Sequence, residues 1–223
     1  MKKFTVWMLS LLFLPLMAQA NGYTTLWKQV EQWQAKGQPR SAINTLQKIV
    51  TKAKAEKSYG NLLKAQLSLM AAWDEISPDS LASQLQSFKV SAQRAAQTDK
   101  ALAAVYNCLL YKGYYEAHRW NKDSMAVANR YKLLAMTNPA VLAGTKATDY
   151  VPLLVEGVDS KYFNNDLLHV IGMEVGDYAT LHRWYDAHDN RSAACYVALQ
   201  LLRQTENNAS SLARKSIYLQ RLD

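Results

Sequence analysis

The sequence predicts an all-α protein made of antiparallel helical hairpins stacked in a solenoid, with an irregular connector near the middle of the chain. Three observations predict this fold class. Apolar residues recur at helical spacing along most of the chain, turn residues separate these segments, and no segment alternates with period two for long. Because a half-buried strand requires that alternation, we expect little or no sheet.

The first twenty residues have the composition of a signal peptide. Lys2 and Lys3 precede a short apolar stretch, and Ala18-Gln19-Ala20 supplies the small residues of a cleavage site. We therefore predict a signal peptide over residues 1–20 and export to the periplasm or the cell surface of a bacterium. An uncleaved anchor helix is the alternative. Because the apolar stretch is short for a bilayer, we expect no stable membrane span after cleavage.

A helical hairpin is predicted directly after the signal peptide. Its two helices are separated by the sequence AKGQPR, in which Gly37 suits the left-handed end of one helix and Pro39 the first position of the next. The pair resembles a tetratricopeptide unit, so we expect a tetratricopeptide-like solenoid. The predicted apolar stripes are Leu26, Val30 and Trp33 in the first helix, and Ala42, Leu46, Ile49 and Ala53 in the second.

Three further helices complete a predicted helical-hairpin domain over residues 21–138. The third covers residues 58–76, and the fourth covers residues 77–96 with Ser77 as its N-cap and Pro78 as its first residue. The fifth runs from about Asp99 to Trp120, and its many tyrosines and leucines predict the most buried helix. The predicted inward residues are Leu63, Leu67, Met70 and Trp73 in the third helix, and Leu81, Leu85, Phe88 and Ala92 in the fourth.

The middle of the chain has a different character. Residues 139–165 contain two prolines and two glycines, which indicates a connector with a short helix or two. Residues 166–223 form a second predicted group, with helices over residues 166–176, 177–189 and 190–206. One more helix starts at about Ser210 and reaches Asp223 without a stop signal. Because a repeat array normally finishes with a polar capping helix, we expect this group to be cut short and the chain to be the front of a longer protein.

The chain is basic, with a formal net charge of +8. Its densest basic group surrounds Glu56, and we interpret this group as a solvated helix face and not as a binding patch. Because an exported protein seldom meets nucleic acid, we expect no nucleic-acid partner. The basic residues of this group are Lys48, Lys52, Lys54, Lys57 and Lys64.

The strongest candidate for chemistry is the sequence HRWYDAHD. His182 and Asp186 are four residues apart, so they share a helix face and could hold a metal ion, with His188 and Asp189 just beyond. A structural zinc site needs four ligands. We therefore prefer a solvated helix end in which Asp189 or Asn190 caps the next helix. A metal-dependent hydrolase using His182, Asp186 and His188 is the remote alternative.

The other reactive residue types form no recognisable site. His169 lies in the apolar sequence LLHVIG, which predicts a buried, hydrogen-bonded histidine. Cys108 and Cys195 both lie in apolar helical runs, so buried free thiols and a disulfide both stay open. We therefore assign no catalytic, cofactor-binding or metal-binding residue, and predict a protein that is not an enzyme and needs no cofactor. The carboxylates Glu75, Glu116, Glu156 and Glu174 are too dispersed to pair by inspection.

Several stretches together resemble a known family. They are residues 23–70 (YTTLWKQVEQWQAKGQPRSAINTLQKIVTKAKAEKSYGNLLKAQLSLM), the sequence EISPDSL, residues 149–172 (DYVPLLVEGVDSKYFNNDLLHVIG) and residues 185–203 (YDAHDNRSAACYVALQLLR). They resemble the amino-terminal region of the large alpha-2-macroglobulin-like proteins that Bacteroidota export. The first stretch is the most specific because the order of its motifs and its turn match. The resemblance covers most of the chain after the signal peptide.

The resemblance implies a function for a longer protein. In that family this region precedes β-sandwich macroglobulin domains, and the whole is thought to trap or inhibit proteases. Members that trap covalently carry a Cys-Gly-Glu-Gln-type thioester segment, which neither Cys108 nor Cys195 matches. We therefore expect a non-catalytic module whose partner is a protein, either other domains of the same polypeptide or an envelope protein. A free-standing periplasmic adaptor that binds a peptide or protein is the alternative.

Overall fold

The computed structural model describes residues 22–118, 120–155, 157 and 159–208, and within them the fold is all-α, as predicted. Strands are absent from these residues, and one isolated antiparallel bridge pairs Lys146 with Asp166. The predicted signal peptide and the helix predicted from Ser210 lie outside them. The described helices are α1 (Tyr23–Ala35), α2 (Pro39–Glu56), α3 (Tyr59–Ile76), α4 (Pro78–Thr98), α5 (Lys100–Ala117), α6 (Ser124–Ala135), α7 (Pro139–Gly144), α8 (Leu167–Val175), α9 (Tyr178–Ala187) and α10 (Arg191–Asn208).

The first hairpin forms as the sequence predicts. Gly37 takes a left-handed backbone conformation, with φ of 62°, directly after α1. Pro39 is the first residue of α2, where its missing N–H leaves no hydrogen bond unmade. All four predicted stripe residues of α2 are fully buried, whereas α1 buries Tyr23 and Trp27 along with Val30. The buried face of α1 is therefore rotated slightly from the predicted one.

Helix α3 lies between two hydrophobic core clusters and contributes residues to both. Leu62, Ala65 and Leu69 pack with α1 and α2, whereas Leu63 and Leu67 pack with the helices that follow. A helix that is apolar on both faces has to be buried on both faces, which explains the near-continuous apolar sequence of α3. Helix α5 was predicted to be the most buried, but α3 buries twelve residues and α5 buries eleven. Deep burial is therefore divided between these two helices.

Helix α6 was not assigned from the sequence. It packs along α5, and the residues that it buries are the small Ser124, Ala128 and Ala135. Small buried residues give a weak apolar stripe, so the helical period is hidden. The preceding helix α5 ends at Ala117, three residues before the predicted end at Trp120.

The predicted connector contains α7 and two turns of 3₁₀ helix at Ala147–Tyr150 and Ser160–Tyr162. Four of its large side chains, Leu142, Tyr150, Leu153 and Phe163, are buried and belong to the same core cluster as α5 and α8. Gly60 in α3 lies directly against the backbone carbonyl groups of Tyr150 and Val151, so close that a side-chain carbon would overlap them. The connector is therefore packed onto α3 along its backbone.

Three helix starts show how local sequence fixes the boundaries. Ser77 occupies the predicted N-cap of α4, but its side chain makes no capping hydrogen bond. Asp99 caps α5 by accepting a hydrogen bond from the Leu102 N–H at 2.9 Å. Asn190 caps α10 by accepting one from the Ala193 N–H at 3.2 Å, as one of the two predicted capping residues. Each side-chain cap satisfies an N–H that has no partner within its helix.

Candidate functional site

A cleft of about 480 Å³ lies between α5, α6 and α8, with the end of α10 at its edge. Tyr111, Tyr115 and Tyr178 supply its aromatic walls, and Asn129 and Gln204 supply amide groups. Burial raises the pKa of Tyr111 to about 12, so its phenol is protonated at neutral pH and can donate a hydrogen bond. A volume of this size suits a small molecule or part of a peptide.

Both lysines of the cleft already have partners within the described residues. Lys112 on α5 forms an ion pair with Glu174 on α8, and both side chains are partly exposed. Lys132 on α6 donates to the carbonyl oxygen of Gly176 at 3.2 Å, at the carboxyl end of α8. Glu116 also lines the cleft, so the structure brings two of the dispersed carboxylates to one place. The cleft therefore offers aromatic contact and hydrogen bonding with nearly balanced charge.

A buried polar cluster lies at the start of α8, at the opposite end of that helix from the residues that line the cleft. Asp166 is only 1% exposed, and its carboxylate accepts hydrogen bonds from the His169 N–H at 2.8 Å and from the Tyr185 hydroxyl at 2.7 Å. Burial and the Asp166 carboxylate raise the pKa of Tyr185 far above its ordinary value. The phenol therefore stays a donor, and the cluster joins α8 to α9.

His169 behaves as the sequence predicts, since it is buried and hydrogen-bonded. Its Nε2 lies 3.0 Å from Asp159 Oδ2 in the connector. Its ring stacks on Phe163 with ring centres 3.6 Å apart. Both contacts reach residues of the connector, so His169 fastens that segment to α8. We infer a structural role for the whole cluster, because every group in it already has a partner.

The residues of the metal alternative do not gather into a site. His188 Nδ1 lies 2.7 Å from the Trp184 carbonyl oxygen, and the His188 ring stacks on the Trp184 ring. His188 and Asp186 are exposed at the end of α9. Among the described residues, no group of three or more His, Cys, Asp or Glu side chains is placed to hold a metal ion. Glu156 lies outside those residues.

Both cysteines are free thiols in the structure. Cys108 is fully buried in α5, and this burial raises the pKa of its thiol to about 12. Cys195 is exposed on α10, so neither of the two open alternatives, a disulfide or two buried thiols, describes the pair. The apolar run around Cys195 is broader than the buried face of α10, which is why the sequence did not separate the two.

The basic group around Glu56 does not act as one patch. Lys64 is buried in α3, and its amino group lies 4.6 Å from the centre of the Trp27 ring. Burial lowers the pKa of this amine. Lys52 pairs with Glu56 at 3.0 Å. The remaining lysines of the group, Lys48, Lys54 and Lys57, are exposed.

The outer side of α6 carries a feature that sequence reasoning missed. Leu133 is 73% exposed and Leu134 is 44% exposed, and Val127 is exposed on the same face as Leu134. Trp120 is also exposed just before this helix. Large apolar side chains in water are costly when they are grouped, so this surface is the second candidate for function. The two adjacent leucines are the signal in the sequence, since an amphipathic helix seldom buries both.

None of the described helices combines the length and the apolarity that crossing a bilayer requires. The chain matches no protein-family model, and comparisons with the curated proteins and with the solved structures also find no match. What the protein does must therefore be inferred from its residues and their arrangement.

Proposed function

We propose that the chain is a non-catalytic exported helical scaffold, the amino-terminal part of an alpha-2-macroglobulin-like protease-inhibitor protein, and that it mediates protein–protein contact. The observation that carries this proposal is the exposed apolar side of α6, formed by Val127 and Leu134. Grouped apolar residues of this kind are typical of protein interfaces. The helical hairpins provide a rigid support for such a surface.

The partner is the following part of the same polypeptide. The resemblance of residues 23–70 and 149–172 to the amino-terminal region of macroglobulin-like proteins supports this choice, because that region precedes other domains. In this arrangement, protease trapping belongs to those domains and the helical region positions them. Added alone to an active protease, this chain is expected to leave the protease active and to form no covalent adduct with it.

A photo-crosslinking experiment in the source cells tests the proposal. Benzoylphenylalanine replaces Leu134, which faces away from the cleft, and the matched control replaces the exposed Lys54 on α2. The expected result is a crosslink from position 134, and not from position 54, to a later part of the same polypeptide, identified by mass spectrometry. An antibody against the chain should detect a product far larger than 25.2 kDa.

The outcomes separate the two parts of the proposal. A crosslink to a separate envelope protein, with a native product near 25.2 kDa, would overturn the macroglobulin assignment and establish the free-standing adaptor. Equal labelling from positions 134 and 54, without a defined partner, would overturn the interface itself.

A further inference from the structure

The cleft lies beside the point where the described chain ends. Gln204 on α10 lines the cleft, and a side-chain carbon built on Gly176 would lie 3.8 Å from Gln204 Nε2. Helix α10 ends at Asn208, four residues later, which is a rise of about 6 Å along the helix. The residues that follow Asn208 therefore begin within about one helical turn of the cleft.

The rim of the cleft exposes apolar groups that a covering segment would bury. Tyr115 lines the cleft on α5 and is 40% exposed. Leu133 lies one turn after Asn129, another lining residue, and is 73% exposed. Leu134 points away from this rim, because consecutive residues on a helix are separated by about 100°.

The sequence after Asn208 has the features of a segment that fits this surface. Ser210 and Ser211 are turn-forming residues, which favour a change of direction after α10. Leu212, Leu219 and Leu222 then follow at spacings that place them on one face of a helix.

The charge of the segment is compatible with the cleft. Lys215 lies three residues after Leu212 and four before Leu219, so it shares the leucine face. Glu116 and Glu174 supply carboxylates in the cleft wall, and Lys112 and Lys132 balance them. The nearly neutral cleft can therefore accept a face that includes one lysine.

We propose that the cleft between α5, α6 and α8 is the docking site for residues 209–223 of the same chain, which pack in it as a helix with the Leu212, Leu219 and Leu222 face inward. The cleft is then an internal contact that sets the direction in which the chain leaves the array. This inference does not rest on the proposed function.

The test is photo-crosslinking in the purified full-length chain. Benzoylphenylalanine replaces Leu133, and the matched control replaces Leu134, its neighbour on the same helix. The expected result is a crosslink from position 133 to a peptide within residues 209–223, in a product that stays monomeric. The control at position 134 should give no such crosslink.

A second pair of variants tests the contact from the other side. Leu219→Asp places a charge where an apolar group is buried, so the crosslink from position 133 should fall about tenfold or more, whereas Leu219→Met should preserve it. Neither substitution alters a described residue, and an unchanged helical circular dichroism signal would show that the array is intact. A crosslinked dimer would overturn the proposal in favour of a second copy in the cleft. No crosslink from position 133, or equal yields from Leu219→Asp and Leu219→Met, would also overturn it.

Discussion

Replacing Gly60 with alanine should separate α3 from the connector. Gly60 is the second residue of α3, in its first turn, where a glycine costs less than the roughly 1 kcal/mol relative to alanine that it costs in a helix interior. A Cβ atom added to Gly60 would point at the backbone carbonyl groups of Tyr150 and Val151 and would overlap their atoms. Backbone cannot rotate away as a side chain can, so the two elements have to move apart.

The size of the effect follows from two opposing contributions. The alanine gains less than about 1 kcal/mol of helix propensity, because the position lies in the first turn. Separating the elements disturbs the packing of Tyr150, which is almost fully buried and contacts the Tyr59 ring. Overpacking of a core costs about 1–3 kcal/mol and sometimes more, and a backbone obstacle belongs at the upper end. We expect Gly60→Ala to lower the free energy of unfolding by about 2–3 kcal/mol, and Tm by about 4–12 °C for a domain of this size.

The matched control is Gly144→Ala. Gly144 is the last residue of the short helix α7, and a side-chain carbon there would meet nothing within 4 Å. Its free energy of unfolding should change by no more than about 0.5–1 kcal/mol, in the stabilising direction if at all. Thermal and urea unfolding followed by circular dichroism measure both variants. If Gly60→Ala and Gly144→Ala have the same Tm and the same urea midpoint, the connector does not pack against α3 as described.

Three other predictions follow from the described contacts. Tyr185→Phe removes the hydroxyl that donates to the buried Asp166, and should lower the free energy of unfolding in urea by about 1–3 kcal/mol; an unchanged midpoint would mean that water replaces the hydroxyl. Cys195 is exposed, whereas burial raises the pKa of the Cys108 thiol to about 12, so a maleimide at pH 8 should label one thiol in the native protein and both in urea; rapid double labelling of the native protein would contradict the burial of Cys108. Asp99→Ala removes the cap of α5 and should cost about 1 kcal/mol in the same urea assay, whereas Asp99→Asn, which can still accept the hydrogen bond, should cost less.

The first hairpin was predicted well because apolar spacing and turn preferences depend only on residues that are close together in the sequence. The four stripe residues of α2 from Ala42 to Ala53 are all buried, and Gly37 and Pro39 occupy the turn positions that their backbone preferences favour. The same local reasoning narrowed the cap of α10 to Asp189 or Asn190, of which Asn190 is the cap, and predicted that His169 is buried and hydrogen-bonded.

The features that were missed depend on contacts between distant residues. Helix α6 exposes the large apolar residues Leu133 and Leu134 and buries small residues. The spacing of its large apolar residues therefore predicts the wrong buried face. The cleft collects groups from five helices, and the order of helices in space cannot be derived from apolar spacing. The Tyr185–Asp166 hydrogen bond joins residues that are nineteen positions apart, one at the start of α8 and the other in α9. No pattern in the sequence pairs them.

The position of α3 between two core clusters determines the order in which the protein should open. Loss of α1 and α2 exposes only one face of α3, whereas loss of α3 removes a wall from both clusters. The amides of α3 should therefore exchange with deuterium only through global unfolding, while those of α1 exchange through a smaller, cheaper opening. Among the described helices, those of the first hairpin are then less protected than α3, the helix directly after it.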